Sequence, residues 1–313
     1  MARDPDPAAA IETLGLARSF GDLVAVDGLD LSVGCGELFS LLGPNGAGKT
    51  TTLRMLSCLL RPTSGSASVL GHDIRDDALA VKRVIAISPQ ETAIAEHLSA
   101  EENLALMAGV HGIGRAETAA RSAELLDTMA LTERASEKAK HYSGGMKRRL
   151  SIAMALVTDP QVVFLDEPTI GLDPQSRRGM WDYIARLKGS MTIVLTTHYL
   201  EEADALADRI AIVDDGRIVA RGSPDELKAA SSAGRATIVE ASGWTDDAIA
   251  ALRDRYPDAA RNNGIVEIHC EDVNVDTVTD CLRPFDVGLT GVYRRPVTLD
   301  DVFLELTGKQ LRR

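Results

Sequence analysis

The sequence predicts an α/β fold with a mainly parallel sheet, an inserted helical subdomain and a small C-terminal α+β domain. Short apolar segments alternate with amphipathic ones from Ile11 to about Gly222, as expected for strands joined by helices. From about Glu91 to Lys140 the chain reads as helical and contains no strong strand pattern. A second set of strands and helices begins at about Arg235, and a length of 313 residues fits two domains.

Strands are predicted where apolar, β-compatible runs are short, and helices where apolar residues recur every three or four positions. The predicted strands are Glu37–Leu42, Val84–Ser88, Gln161–Leu165, Met191–Thr196, Arg209–Val213, Arg235–Ala241, Gly264–His269 and Gly288–Tyr293. The predicted helices are Gly48–Leu60, Ala100–Val110, Arg115–Met129, Gly145–Val157, Gln175–Leu187, Tyr199–Ala207, Thr245–Tyr256, Val275–Leu282 and Thr298–Thr307. Ser223–Glu226 has a serine cap, a proline and acids in the first turn, which predicts one more helix start.

Residues Gly43–Thr51 fit the phosphate-loop pattern G-x-x-x-x-G-K-[ST] between a predicted strand and a predicted helix. Glycines let backbone N–H groups surround an anion, and the helix directs its positive end to the same place. Lys49 adds a cation for the β- and γ-phosphates of a nucleotide, and the Thr50 hydroxyl can ligate Mg²⁺. The motif therefore predicts a P-loop NTPase-type sheet. The predicted nucleotide contacts are Gly43, Pro44, Asn45, Gly46, Ala47, Gly48, Lys49, Thr50 and Thr51.

A second candidate motif is the apolar run Val162–Leu165, which is followed by the carboxylates Asp166 and Glu167. Ligands of open α/β sheets bind at the carboxyl ends of the strands, and adjacent strand residues point to opposite sides. We assign Asp166 to the metal, through water, and Glu167 to the attacking water as general base. The alternative is a strand that ends in two solvated acids, and the phosphate loop in the same domain disfavours it.

A third motif is Tyr142–Arg149, which reads Tyr-Ser-Gly-Gly-Met-Lys-Arg-Arg and begins a predicted helix. Ser143 is a natural cap, while Gly144 and Gly145 leave the helix end bare enough for a phosphate to approach. One small nucleotide in one domain needs only one such loop. The motif therefore indicates either a terminus that serves a nucleotide held mainly by another subunit, or a plain N-capped helix.

In this order the motifs resemble those of the ATP-binding cassette (ABC) ATPases, over about residues 11–222. In that family the phosphate loop of one subunit and the Ser-Gly-Gly signature of its partner enclose ATP. The resemblance implies Mg-ATP binding, a homodimer of the subunit on ATP binding, and hydrolysis by in-line attack of water.

Four further residues take their expected roles from the resemblance alone. Gln90 matches a glutamine that touches Mg²⁺ and the attacking water, and His198 matches a histidine that contacts the γ-phosphate. Asp173 matches an aspartate at the dimer seam, and Phe20 falls where the family places an aromatic residue on adenine. The expected catalytic residues are Glu167, His198, Lys49 and Gln90, and the expected metal ligands are Thr50, Gln90 and Asp166.

The signature motif departs from the usual family pattern at two positions. Tyr142 and Met146 stand where Leu and Gln are common, whereas Ser143–Gly145 is retained. The departure concerns the packing at the dimer seam more than ATP binding, because the N–H groups that face phosphate remain.

A narrower resemblance, to the daunorubicin-resistance type of drug-export ATPase, rests on Thr197–Asp208, Gly216–Gly222 and Thr298–Thr307. It implies the ATP-hydrolysing subunit of an exporter that works with a separate membrane permease, with efflux of a drug or another hydrophobic compound. Drug, lipid and polysaccharide export all remain open. The alternatives are an importer ATPase, or an ABC ATPase of repair or translation, which would carry a coiled-coil insertion or two fused cassettes.

Composition limits the remaining function classes. A formal net charge of -12 disfavours a nucleic-acid partner, which would require basic stripes. The four cysteines form no C-x-x-C pair, and no run of about 18 apolar residues is present. These features fit a cytoplasmic protein, and the resemblance implies that it is peripheral on the inner face of the cell membrane through its permease.

The predicted domain boundaries follow from these motifs and from the small-residue stretch near residue 230. We expect a disordered tail at 1–10, a nucleotide-binding domain at 11–222 with its helical subdomain at about 91–140, a linker at 223–234, and an accessory α+β domain at 235–313. The expected role of the accessory domain is dimer support or regulation.

Overall fold

The computed structural model divides the chain into two compact units, the first ending at Pro224 and the second beginning at Asp225. The residues that it describes are 9–231, 237–262, 264–268, 270 and 273–308. Within the predicted linker, Pro224–Ala230 forms a helix, and 232–236 lie outside the described residues.

The first unit contains two sheets and a set of helices. In chain order its strands are β1 (Ala9–Phe20), β2 (Leu23–Gly34), β3 (Leu38–Leu42), β4 (Ser64–Val69), β5 (His72–Asp73), β6 (Ile85–Ser88), β7 (Val162–Asp166), β8 (Thr192–Thr197), β9 (Arg209–Asp214) and β10 (Arg217–Gly222). Its helices are α1 (Lys49–Leu56), α2 (Ala78–Val84), α3 (Ala100–Val110), α4 (Arg115–Thr128), α5 (Gly144–Leu156), α6 (Pro174–Arg186) and α7 (Leu200–Leu206), with 3-10 turns at Thr132–Arg134 and Ala139–His141. The boundaries of the predicted helices and core strands are reproduced to within a few residues.

The larger sheet has the order β10-β9-β3-β8-β7-β6, and its strands are parallel except for the antiparallel edge strand β10. Strands β3, β7 and β8 are buried along their whole length, as expected for a parallel sheet that is covered on both faces. The predicted mainly parallel α/β fold is therefore confirmed. Its consequence for the site is that the segments that follow β3, β7 and β8 emerge at one edge.

The smaller sheet is antiparallel, with the order β2-β1-β4-β5, and the sequence did not predict it as a separate sheet. The pairing of β1 with β2 shifts register at four places, and such irregularities break the period-two alternation that identifies a strand. Strand β1 includes Ala9 and Ala10, which were assigned to the predicted tail; the rest of that tail lies outside the described residues. One apolar core joins β1, β2 and α1 to the strands of the larger sheet.

The helical subdomain lies between β6 and β7 in the chain and consists of α3, α4 and the two 3-10 turns, against which α5 packs. Helix α3 begins with a capping box between Ser99 and Glu102. The buried Asn103 side chain donates to the Ala95 and Ser99 carbonyl groups, and its oxygen accepts from the Ala95 N–H. These bonds fix the segment that leads from Gln90 into the helices.

The second unit is the predicted α+β domain. It consists of α8 (Pro224–Ala230), β11 (Thr237–Ser242), α9 (Asp246–Arg255), β12 (Ala260–Asn262), β13 (Ile265–Ile268), α10 (Val275–Leu282), β14 (Gly288–Arg294) and α11 (Leu299–Thr307). Its antiparallel sheet has the order β12-β13-β11-β14 and covers its own apolar core. The short strand β12 was not predicted, and the predicted strand ends Arg235 and His269 lie outside the described residues. Among the helices of the described residues, none combines the length and the apolar character that crossing a bilayer requires.

Candidate nucleotide-binding and hydrolysis site

The phosphate loop turns tightly between β3 and α1. At two of its positions, close contacts with the backbone of the same chain leave room only for glycine. Gly48 has φ +99°, and a Cβ there would lie 2.4 Å from the Ala25 carbonyl oxygen. A Cβ at Gly43 would lie 2.1 Å from the Val213 carbonyl oxygen. Helix α1 begins without a side-chain cap, so its first N–H groups have no side-chain acceptor at that end. This arrangement suits a bound anion.

Lys49 lies at the centre of the loop, with only 5% of its side chain exposed. Its Nζ donates to the Gly43 carbonyl at 2.7 Å and to the Pro44 carbonyl at 3.1 Å, and lies 3.3 Å from Glu167 Oε1. Burial lowers the pKa of Lys49, while Glu167 and Asp166 act in the opposite direction. Since all three contacts are to oxygen atoms, the geometry is that of a protonated ammonium that bridges the loop and the acid.

Asp166 ends β7 and faces the first turn of α1. Its Oδ1 accepts hydrogen bonds from Thr50 Oγ1 at 3.0 Å and from Thr196 Oγ1 at 2.6 Å. The bond to Thr196 follows from the parallel register, in which Asp166 pairs with Thr196 of β8. A hydroxyl and a carboxylate side by side provide the hard oxygen donors that fit Mg²⁺, which keeps several of its waters in proteins.

Glu167 stands directly beyond β7 in a left-handed backbone conformation, with φ +50°. Its N–H donates to the Thr196 carbonyl and hydroxyl oxygens, which holds this strained turn against β8. Glu167 Oε1 faces Lys49, and Oε2 lies 2.7 Å from His198 Nδ1. The carboxylate is thus almost fully buried between a cation and an imidazole. This is the geometry of an oriented base.

Three further residues named by the resemblance, Gln90, Phe20 and Asp173, make no hydrogen bond, ion pair or ring contact with this centre among the described residues. The exposed Gln90 side chain makes no hydrogen bond within the described part of the chain, although its carbonyl oxygen accepts from Arg148 at 3.2 Å. Phe20, at the end of β1, is 45% exposed, and the Arg18 guanidinium lies 4.5 Å from its ring. Asp173 caps α6 by accepting from the Gln175 and Ser176 N–H groups, and hydrogen bonds from Ser176 and Gln175 lower its pKa.

Ser143 caps the N-terminus of α5, which is a second helix terminus separate from that of α1. Ser143 Oγ accepts from the Met146 N–H at 3.3 Å. A Cβ added at Gly144 would meet nothing within 4 Å, whereas one at Gly145 would touch Ser176 and Leu172. The Tyr142 ring is buried, and its hydroxyl donates to the Arg134 carbonyl. Tyr142 therefore anchors the terminus to the helical subdomain.

Arg148 is a site residue that the sequence analysis missed. Its buried guanidinium donates to the carbonyl oxygens of Pro168 at 2.9 Å, Asp166 at 2.6 Å, and Pro89 at 2.5 Å. Burial lowers the pKa of Arg148 to about 10. The side chain therefore joins α5 to Pro89 and to the end of β7. Nothing in the sequence indicates this role, because Arg148 stands within a basic run that resembles a solvated helix face.

Thr196 was also missed, and here a signal was available. It holds both Asp166 and the Glu167 backbone. Since neighbouring parallel strands end at the same edge, the Thr-Thr-His run at the end of β8 could have been placed beside the acids.

Comparison with known proteins gives consistent matches. Residues 26–170 match the family model described as ABC transporter. The daunorubicin resistance ATP-binding protein DrrA3 of Streptomyces coeruleorubidus is 42% identical, over 97% of both chains. The Nod factor export ATP-binding protein I of Burkholderia orbicola (strain AU 1054) is 38% identical, over 97% of this chain and 99% of that protein.

Among solved structures, similarity extends to a dimeric post-hydrolysis state of the ATP-binding cassette MJ0796 bound to ADP and Pi. The TM-score is 0.62 at 25% sequence identity, and the match covers 68% of this chain and 98% of that chain. The compared region corresponds in size to the first unit described above.

Proposed function

Because this chain belongs to the ABC transporter family, we propose that it is the ATP-hydrolysing subunit of an exporter, coupled to a separate membrane permease. The relatives named above are themselves described as a resistance ATP-binding protein and an export ATP-binding protein. Their nearly complete coverage of this chain, including its second unit, favours the exporter over the importer.

The observation that carries the proposal is the position of Glu167 between Lys49 and His198. Lys49 binds the β- and γ-phosphates of ATP, and in doing so it exchanges the Glu167 oxygen for phosphate oxygens. Glu167 then accepts a proton from the water that attacks the γ-phosphorus, while His198 holds the carboxylate in place. The products are ADP and inorganic phosphate.

Magnesium fits the oxygen ligands that the site offers. Thr50 and Asp166 would hold the ion, with Gln90 joining them. A bound Mg²⁺ supplies charge neutralisation on the phosphate oxygens. Phe20, exposed at the end of β1, provides an apolar face on which the adenine stacks.

The complete site requires two copies of the chain arranged head to tail. Ser143, Gly144 and Gly145 of the partner subunit then face the γ-phosphate that is held by the phosphate loop. The open space at Gly144 supports this arrangement, because the chain's own packing gives no reason for a glycine there. Asp173, exposed at the start of α6, lies at the seam of this dimer.

The partners and location follow from the same proposal. The permease contacts the helical segment after Gln90, and the subunit works at the inner, cytoplasmic face of the cell membrane. The transported molecule is a drug or another hydrophobic compound. Residues 235–313 form an accessory domain that supports or regulates the dimer.

Two measurements test the proposal. Purified protein should release phosphate from ATP with Mg²⁺ and should stop when excess chelator is added. Coexpression with its permease should increase drug efflux from cells, and permease paired with the Glu167→Gln chain should give none. If the protein hydrolyses ATP but binds no permease, the transport role is wrong and the ATPase role is retained.

A further inference from the structure

Helix α6 contacts the segment that follows β8 at two points. The Arg177 guanidinium lies 4.1 Å from the centre of the Tyr199 ring, and its buried Nε has no hydrogen-bond partner among the described residues. Trp181 Nε1 donates to Glu202 Oε1 at 3.1 Å. Arg177 and Trp181 are four residues apart, so both lie on one face of α6. We call these four residues the α6 clamp.

The first contact continues to the hydrolysis site. The ring centres of Tyr199 and His198 are 4.1 Å apart, with an angle of 38° between the ring planes. His198 in turn lies 2.7 Å from Glu167. An unbroken series of contacts therefore runs from Arg177 through Tyr199 and His198 to the base.

The second contact leads to the segment that follows the same base. Glu202 is fully buried, and its Oε1 also accepts from Thr169 Oγ1 at 2.8 Å. Thr169 is two residues beyond Glu167 on the segment that leads to Asp173. Burial raises the pKa of Glu202, and burial of a carboxyl group is costly unless hydrogen bonds compensate it. Trp181 and Thr169 provide such bonds to Oε1, whereas the buried Oε2 has no hydrogen-bond partner among the described residues.

The role of the α6 clamp rests on the proposed function, in which Glu167 and His198 take part in ATP hydrolysis. We infer that the α6 clamp positions His198 against Glu167, so that movement of the helix that begins at Asp173 changes the rate of hydrolysis. The clamp residues are positioning residues, because none of them touches the reacting atoms. When a dimer closes at Asp173, the resulting movement of α6 would then change the position of His198 against Glu167 in the same subunit.

The decisive substitution is Tyr199→Leu, with Tyr199→Phe as its control. Leucine removes the ring, whereas phenylalanine keeps both ring contacts. We expect Tyr199→Leu to lower kcat by about tenfold, the scale of a lost cation–π contact and a misplaced base, with unchanged ATP affinity. Tyr199→Phe should stay within about twofold of the wild type. Equal rates in all three proteins, with an active wild type, would overturn the clamp and leave the proposed function intact.

A double-substitution cycle separates positioning from a general loss of structure. In the His198→Gln background, Tyr199→Leu should have little further effect, because its target is already absent. The same fold-decrease in both backgrounds would show that Tyr199 acts elsewhere and would contradict the inference.

If the His198→Gln protein hydrolyses ATP too slowly to measure, NMR provides a test that does not require hydrolysis. Because the two ring centres are 4.1 Å apart, the Tyr199 ring should shift the NMR signals of the His198 ring protons. Arg177→Leu should change that shift, whereas Arg178→Leu, which removes an exposed charge from the next position of α6, should not. An unchanged shift in Arg177→Leu would break the series of contacts. Failure of wild-type hydrolysis, by contrast, would count against the proposed function.

Discussion

The chain contains two glycine-flanked helix termini, and they differ in what their glycines serve. At α1, Gly43 and Gly48 are required by the chain itself, because added Cβ atoms would collide with the backbone of Val213 and Ala25. At α5, a Cβ at Gly144 would meet open space. A glycine that its own fold does not need costs about 1 kcal/mol in a helix relative to alanine. This difference supports the proposal that the second terminus serves a partner subunit, whereas the first is built within one chain.

The surrounding charges differ in the same way. The α1 terminus is adjacent to Lys49, Asp166 and Glu167, to which we assign phosphate, Mg²⁺ and the attacking water. The α5 terminus offers a capping hydroxyl from Ser143 and the cation of Lys147, which pairs with Glu96. Substitutions at α1 should therefore affect binding and chemistry, whereas those at α5 should affect hydrolysis alone.

The largest effect is expected for Lys49→Ala. It removes a cation aimed at the β- and γ-phosphates, and charge-assisted hydrogen bonds contribute about 1.5–3 kcal/mol each, so ATP affinity should fall by about 10- to 100-fold. Turnover should be lost as well. Titration with a fluorescent ATP analogue measures the affinity, and Arg54→Ala, an exposed cation on the same helix, is the control. Wild-type affinity in Lys49→Ala would refute the assignment of the loop.

Glu167→Gln comes next, because it should lower turnover alone, whereas Lys49→Ala should lower both affinity and turnover. The amide keeps the size and hydrogen bonding of the side chain but cannot accept the proton, so kcat should fall by about 10²-fold or more. ATP should still bind, and dimers should accumulate, as seen by size-exclusion chromatography with ATP. Glu201→Gln, an exposed acid on α7, should hydrolyse normally. A Glu167→Gln protein with nearly normal turnover would remove Glu167 from the role of base.

A paired substitution tests the glycine comparison itself. Gly48→Ala should lower thermal stability or abolish ATP binding, because alanine at φ +99° is strained and collides with Ala25. Gly144→Ala should melt at or slightly above the wild-type temperature, bind ATP normally and hydrolyse it more slowly. Melting by circular dichroism, together with phosphate release, separates the two. Destabilisation by Gly144→Ala would mean that the second terminus serves its own fold.

The smallest effect on ATP binding is expected for removal of the second unit. Both termini lie in the first unit, so a chain that ends at Ser223 should fold and bind ATP within about twofold of the full-length affinity. An insoluble or non-binding truncated protein would show that the site depends on the second unit.

The sequence predicted the parallel core and the position of the phosphate loop between β3 and α1 because their signals are local. Buried strands such as β7 are continuous apolar runs, and the loop pattern fixes the residues around Lys49. The antiparallel sheet was missed because bulges interrupt the alternation of β1 and because β4, Ser-Gly-Ser-Ala-Ser-Val, is small and polar. Arg148 and the α6 clamp depend on contacts between segments that are distant in sequence, for which spacing gives no signal.

The central claim is that each hydrolysis site combines the phosphate loop of one subunit with the Ser143 terminus of the other. The measurement is phosphate release by Ser143→Arg protein, alone and after mixing with Lys49→Ala protein. Ser143→Arg alone should bind ATP but hydrolyse it poorly, because the new cation obstructs closure on the neighbour. In mixed dimers one site joins the intact loop of the first chain to the intact terminus of the second, so equal mixing should restore about a quarter of wild-type activity. Wild-type hydrolysis by Ser143→Arg alone would contradict the composite site.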